Sequence, residues 1–141
     1  MVYQVNALEF RIGTKGRSSA AEDMAVVKDM EEFEISFDNG VEEWTPFGTE
    51  GWARRLMTSK SMTVSVSGKR HPGDVGNDYV ASLAYANGEA AGSVLAVVFP
   101  DGAELSMPCV VNVTASGGGS AGDIGSLEFE CKSDGKPSYR R

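Results

Sequence analysis

The sequence predicts a mainly β fold, a two-sheet β-sandwich or barrel of about seven or eight strands with one short flanking α-helix. Three observations lead to this prediction. Several segments alternate apolar and polar side chains with a period of two. The 17 glycines lie among short polar runs that are typical of tight turns. One segment alone, ending near residue 86, has the apolar spacing of a short helix, and the 141 residues are expected to form a single β domain, 1–141.

The N-terminal part begins with a strand and a connection. Residues 7–12 are predicted to form the first strand. Residues 13–23 are small and polar and are expected to be a flexible connection. The apolar run at residues 24–27 marks the return to β structure.

The next segment predicts a hairpin. Phe33, Ile35 and Phe37 alternate with polar residues, so they are expected to face the core. Asn39–Gly40 then predicts the turn, because both residue types tolerate a positive φ. Residues 41–47 are the expected return strand.

The rest of the chain repeats these signals. Residues 48–60 interrupt the alternation and carry a basic pair beside large apolar side chains. A short helix, capped by Asn77 or Asp78, is predicted to run to Ala86. Residues 134–141 are expected to be a polar tail. Further strands are predicted at 61–67, 93–99, 103–107, 109–115 and 127–132, with a glycine-rich loop at 116–122.

The charge pattern limits the partners of the protein. The net charge is −7 and the N-terminal 50 residues hold 11 acidic and 4 basic side chains, so the acidity is local. An acidic protein of this kind is not expected to bind nucleic acid over its whole surface. No apolar run approaches the ~20 residues that a membrane-spanning helix needs.

Residues that would carry catalysis, a metal or a cofactor are not grouped in recognisable motifs, and the sequence predicts no enzyme and no cofactor. Cys109, Cys131 and His71 match no zinc spacing. The two cysteines are interpreted as buried thiols, with a disulfide as the alternative. The glycines of residues 117–122 fit a dinucleotide-binding pattern formally, but a strand rather than a helix is expected to follow them.

Six segments, in the same order along the chain, resemble tail tube proteins of long-tailed phages. The resemblance runs from about residue 24 to residue 137. It is carried by residues 37–46, 50–61, 68–79, 99–103, 109–114 and 133–137.

This resemblance implies a structural virion protein. Six copies would form a ring, and stacked rings would form a hollow tube that conducts viral DNA. The implied partners are other copies of the chain and tape measure, distal tail and tail terminator proteins. The implied location is the virion tail, assembled in the cytoplasm of a bacterial host. DNA would pass through the tube without specific binding, and no membrane would be involved.

Residues 48–60 are a candidate assembly loop between subunits. The hypothesis is an arm in which Trp52 is an apolar anchor and Arg54 and Arg55 meet acidic groups of the next subunit, with Leu56 and Met57 beside them. The alternative is a loop folded onto its own core.

The acidic segment is a candidate lining for the tube lumen. Glu32 and Glu34 alternate with core residues, and Glu43 is expected to project to the same polar face. In a closed ring that face points either to the channel or to the outside. The inward orientation is favoured, because like charge keeps DNA from adhering to the wall.

Other classes of function remain open at this point. The chain could be a soluble β-sandwich module that binds a ligand or peptide, a small β-barrel enzyme, or the tube protein of a DNA-free tail-like particle. A tube protein is expected to form rings or filaments, whereas a binding module stays monomeric.

Overall fold

The computed structural model describes residues 2–141, in which eight strands and one α-helix are the main elements. Short 3₁₀ turns connect several of them, and one of these, Leu83–Tyr85, extends the helix. The mainly β class, the number of strands and the flanking helix are confirmed. The elements are β1 (Glu9–Gly13), β2 (Met24–Val26), β3 (Met30–Trp44), β4 (Arg54–Lys69), α1 (Val75–Ser82), β5 (Gly92–Val98), β6 (Glu104–Ser116), β7 (Ser126–Ser133) and β8 (Ser138–Arg140).

The strands form one continuous antiparallel sheet in the order β2-β1-β5-β6-β7-β4-β3, and β8 pairs with β6. The sheet curls until its two ends approach each other. The rings of Phe10 on β1 and Phe33 on β3 lie 5.0 Å apart, although these strands are far apart in the strand order. The amide of Val27 donates to the carbonyl of Phe10 (2.9 Å), which continues the β1–β2 pairing one residue beyond β2. The curl therefore encloses the inner face of the sheet.

The core fills this inner face and follows the two-residue period of the strands. On β4, Met62, Val64 and Val66 are buried, while the residues between them are half-buried or exposed. β7 contributes Leu127, Phe129 and Cys131 in the same way. Helix α1 covers part of the curl with Val80 and Ala81. The alternation in the sequence correctly predicted these inward positions.

A buried asparagine fixes the helix to the sheet. Asp74 caps α1 by accepting from the amide of Asn77 (3.0 Å), so the N-cap lies three residues before Asn77 and four before Asp78, the two predicted caps. The Asn77 side chain donates to the carbonyls of Lys28 and Lys69 (both 3.0 Å). Its Oδ1 accepts from Arg70 Nη1 (2.8 Å) and from the amide of His71 (2.9 Å). All of its side-chain hydrogen-bonding capacity is thus used.

The predicted hairpin turn at Asn39–Gly40 is wrong, because both residues lie inside the continuous strand β3. Gly40 pairs with Ser59 and has no positive φ. A side chain at Gly40 would collide with Ser59 Oγ, so glycine is needed here for close approach between strands. Residues 41–44 continue β3, and the chain reverses only after Trp44.

Two further segments differ in detail from expectation, and the glycine-rich loop agrees with it. Residues 13–23 contain two 3₁₀ turns, Gly16–Ser18 and Ala21–Asp23. Residues 134–141 include the short strand β8. The glycine-rich loop connects β6 to β7, so no helix follows it.

Cys109 and Cys131 are buried and free, which confirms the interpretation as thiols and rules out the disulfide. The hydrogen bond with Cys109 and burial raise the pKa of the Cys131 thiol, so it stays protonated.

Candidate assembly surface

The β3–β4 hairpin extends beyond the sheet as an arm, defined here as residues 37–61. β4 pairs with β7 only from Thr63 to Lys69, but it pairs with β3 as far as Arg54. From Met62 back to Arg54, β4 pairs with β3 alone among the described residues, so this part of the hairpin is a two-stranded ribbon. At roughly 3.3 Å per step, the ten steps from Phe37 to Phe47 extend about 30 Å.

Residues 45–53 form the turn at the end of the arm, and hydrogen bonds within the turn organise it. The hydroxyl of Thr49 donates to the carbonyl of Pro46 (3.1 Å) or Trp52 (2.9 Å). The amide of Trp52 donates to the carbonyl of Thr49 (3.0 Å). Gly48 and Gly51 both adopt a positive φ. The tip is therefore a defined structure that holds the side chains of Phe47 and Trp52 in the solvent.

Large apolar side chains are exposed along the whole arm. Soluble monomers rarely expose contiguous apolar patches larger than roughly a few hundred Å², and an isolated two-stranded ribbon is only marginally stable in water. An arm of this composition is therefore typical of a segment that becomes buried against another molecule. The exposed apolar residues are Phe37, Val41, Trp44, Phe47, Trp52, Leu56 and Met57.

The structure places the five predicted interface residues on this arm. Trp52 is 77% exposed, and Leu56 and Met57 are 60% and 49% exposed. The guanidinium of Arg54 lies over the ring of Trp44, 5.8 Å from its centroid. The Arg55 guanidinium pairs with Glu43 (3.1 Å). The alternative of a loop folded onto its own core is wrong, since residues 54–57 form the free end of β4.

The two arginines thus have partners within the arm, which the sequence could not show. Arg55 and Glu43 are directly opposite in the ladder. Arg54 is opposite Trp44 in the same way. These contacts stiffen the ribbon by joining its two strands across the free end.

Glu32 and Glu34 lie on the outer face of the sheet, in an acidic cluster that the sequence analysis did not assemble. Glu32 is opposite Ser67, which is opposite Glu128, and Glu34 is related to Glu130 through Ser65. The four carboxylates line a shallow depression of about 310 Å³. Lys69 and Lys132, on the same face of their strands, mark its two ends. The alternation of apolar and acidic residues along β7, which places Glu128 and Glu130 outward, was the pattern in the sequence that could have predicted this cluster.

Glu43 lies apart from this cluster. It is nine residues along β3 from Glu34, roughly 30 Å away in an extended strand. Alternation along β3 places Glu43 on the face opposite to Glu32 and Glu34, where it pairs with Arg55. The register thus differs from the expectation of one shared polar face.

The described part of the chain, residues 2–141, has no group of three or more His, Cys, Asp or Glu side chains arranged to hold a metal ion. None of the helices in that part is both long and apolar enough to cross a membrane. The ring nitrogen Nδ1 of His71, the single histidine, contacts the carboxylate of Asp29. Surfaces, rather than a cleft with converging reactive groups, are thus the most distinctive features of the described residues.

The curled sheet, the flanking helix and the projecting arm define a β domain with one exposed, ordered hairpin. No protein-family model matches the sequence, and no curated protein matches it. Solved structures do match the fold over nearly the whole chain, and they belong to tails and tail-like particles.

Three of these structures illustrate the likeness. A chain from the tail of an empty GTA particle with C6 symmetry matches with a TM-score of 0.77 and 17% identity, covering 99% of this chain and 100% of that one. A chain of the virion of a native gene transfer agent (GTA) particle matches with a TM-score of 0.72, 19% identity and coverage of 99% and 100%. A chain of the PVC sheath–tube complex, an extracellular contractile injection system in the extended state, matches with a TM-score of 0.61 and 12% identity. The match covers 99% of this chain and 91% of that one. The protein therefore has the fold of these tail chains, which agrees with the resemblance to tail tube proteins.

Proposed function

We propose that this chain is a major tail tube protein, whose copies form six-membered rings that stack into a hollow tube. The observation that carries the proposal is the arm, an ordered ribbon with seven large apolar side chains in the solvent. The fold shared with a tail chain of C6 symmetry supports the sixfold arrangement. The role is structural and requires no catalytic residue.

The free edges of the curled sheet support assembly as well. Within residues 2–141, β3 pairs only with β4 and β2 pairs only with β1. Unpaired strand edges offer main-chain donors and acceptors to another chain. Copies in a ring would cover these edges, and symmetry would repeat the same contact around it.

Electron microscopy and sedimentation of the purified protein, with and without a crowding polymer, test the proposal. We expect hollow tubes or rings with six subunits per layer. A variant in which residues 39–60 are replaced by Asn-Gly joins Asp38 to Ser61 by a two-residue turn. It should unfold cooperatively like the wild type yet stay monomeric. Wild-type protein that is monomeric under every condition, or a shortened variant that still forms tubes, would contradict the proposal.

For the lumen, we propose that the outer acidic face of Glu32, Glu34, Glu128 and Glu130 lines the channel. Sixfold repetition would place rings of carboxylates along the wall, and their repulsion of phosphate acts within a Debye length of ~8 Å at physiological salt. Double-stranded DNA would then slide without adhering.

The variant E32K/E34K, assembled together with short DNA duplexes, tests the lumen proposal. Its tubes should retain DNA that is protected from nuclease, because lysines would attract phosphate inside the channel. The control E22K/E89K changes two exposed acids elsewhere by the same charge and should protect no DNA. DNA that binds to E32K/E34K tubes but is digested would place this face on the outer wall.

A DNA-free tail-like particle is the second candidate setting. The match to the sheath–tube complex of a contractile injection system favours it. Native particles that contain this chain should carry DNA in the first case and none in the second. The proposed partners in a virion tail are tape measure, distal tail and tail terminator proteins, and assembly is placed in the cytoplasm of a bacterial host.

A further inference from the structure

An apolar pocket lies where the arm joins the rest of the molecule. It has a volume of about 400 Å³ and is lined on one side by Phe37, Lys60, Ser61 and Met62 of the hairpin. The opposite wall is formed by Ser133, Gly135, Lys136 and Pro137. Phe37 is opposite Met62 in the β3–β4 ladder, so both side chains point to the inner side of the sheet at the edge of the core. Phe37 is nevertheless 65% exposed, and the pocket is therefore open and unfilled by its own chain.

The C-terminal wall of the pocket is held at both ends. Asp134 donates its amide to the carbonyl of Pro108 (2.9 Å), and its carboxylate pairs with Arg17 (2.5 Å). On the other side, β8 pairs with β6 and the ring of Tyr139 packs edge-on against Phe99. Residues 135–137 thus bridge two fixed points, and the pocket is a built feature of the fold.

Charge distinguishes the pocket from the tip of the arm. Lys60 and Lys136 line the pocket, no carboxylate does, and neither lysine has an ion pair within residues 2–141. At the tip, Phe47 is fully exposed and Glu50, three residues on, forms no ion pair within the same described range. The apolar side chain of Phe47 beside the Glu50 carboxylate therefore complements an apolar pocket beside two ammonium groups.

The arm cannot fill its own pocket, because its tip lies about 30 Å from its base. A second copy displaced by one arm's length along the arm would present its pocket at the position of the first copy's tip. A contact of this head-to-tail kind uses two different patches and continues from copy to copy.

We propose that Phe47 of one copy seats in the pocket between Phe37, Met62 and Pro137 of the next copy, with Glu50 facing Lys60 and Lys136. This inference rests on the proposed tube function and names the contact that joins successive layers. It requires that the pocket of the next copy lies about one arm's length, roughly 30 Å, along the arm of the first.

Chemical cross-linking of mixed variants tests the contact. T45C places a thiol beside the tip and S61C places one on the β4 segment that lines the pocket, and both substitutions replace exposed residues. The native thiols are buried and do not compete. T45C protein assembled with S61C protein should give cross-linked dimers with a short bismaleimide. T45C mixed with K28C, at the opposite end of β3, should give none. A T45C–K28C product without a T45C–S61C product would overturn the proposal.

Truncation of the Phe47 side chain provides the second measurement. F47A should raise the protein concentration needed for half-maximal assembly at least about tenfold, as expected for a buried aromatic anchor. Assembly of F47A at the wild-type concentration would overturn the contact but leave the tube function intact. Wild-type protein that never assembles would instead remove the tube function itself, so the two failures are distinguishable.

Discussion

The arm and the curled sheet are built from the same two strands, but they bury their side chains differently. In the sheet, the apolar residues of β4 that point inward, Met62, Val64 and Val66, are buried. In the arm, Leu56 and Met57 of the same strand are exposed on its two faces. Sequence alternation tells which face a side chain lies on. Only a neighbouring element decides whether that face is buried.

The difference also separates residues that are expected to affect stability from residues that are expected to affect association. The sheet buries one continuous cluster under α1 and the curl, and this burial stabilises the fold. The arm has apolar side chains but nothing in its own chain to cover them. We infer that substitutions in the sheet change the free energy of unfolding, whereas substitutions in the arm change association.

A matched pair of phenylalanine truncations gives the largest expected contrast. Phe129 is 1% exposed, and F129A should lower the free energy of unfolding by about 3–5 kcal/mol. Phe47 is fully exposed, and F47A should change it by no more than about 0.5 kcal/mol. Denaturant unfolding of the monomers measures both. Equal losses in the two variants would show that the arm folds onto the core.

A pair of asparagines gives a smaller contrast, this time within the sheet. N77A removes the donor to the carbonyls of Lys28 and Lys69 and should cost about 2–3 kcal/mol, because buried polar groups lose their partners. Asn112 is exposed on β6 and donates to Glu130 (3.3 Å) at the surface. N112A should therefore cost about 0.5 kcal/mol or less. If N77A were as mild, the hydrogen bonds of Asn77 would not anchor α1.

The smallest expected effect is a pH dependence confined to the helix end of the sheet. The hydrogen bond from Arg70 lowers the pKa of Asp78 below its usual value of 3.8. The stability that this pair contributes is present above that value and is lost as the pH falls through the lowered pKa. D78N should therefore reduce the loss of melting temperature as the pH falls below about 3.8.

The control for this measurement lies in the arm. Asp38 forms no ion pair within residues 2–141, and D38N should leave the acid profile unchanged. A D78N profile that coincides with the wild type would contradict the assigned role of Arg70 and Asp78.

Local pattern predicted most strands, because backbone pleating imposes the same two-residue period wherever one face is covered. It failed at Asn39–Gly40, where the residues favour a turn but the ladder with Ser59 and Lys60 extends the strand. The chain reverses instead at a turn that contains Pro46, Gly48 and Gly51. These residues also favour a turn, but their local signal is weaker than that of Asn39–Gly40.

The candidate surfaces divide in the same way. The sequence alone indicated exposed apolar and basic residues at 52–57 and outward carboxylates at Glu32 and Glu34. It did not indicate that Arg55 pairs with Glu43. That pairing depends on the strand register of a hairpin whose turn lies at residues 45–53 rather than at the predicted Asn39–Gly40.

By itself, the sequence determined the mainly β class, the inward positions of the strands, the buried thiols and the local acidity. These properties depend on residue type and on neighbours along the chain. The tertiary structure alone decided the projecting arm, the pocket at its base, and the grouping of Glu128 and Glu130 with Glu32 and Glu34. Each of these features joins residues from strands far apart in sequence, and their positions are fixed by strand order, register and curl rather than by any local preference.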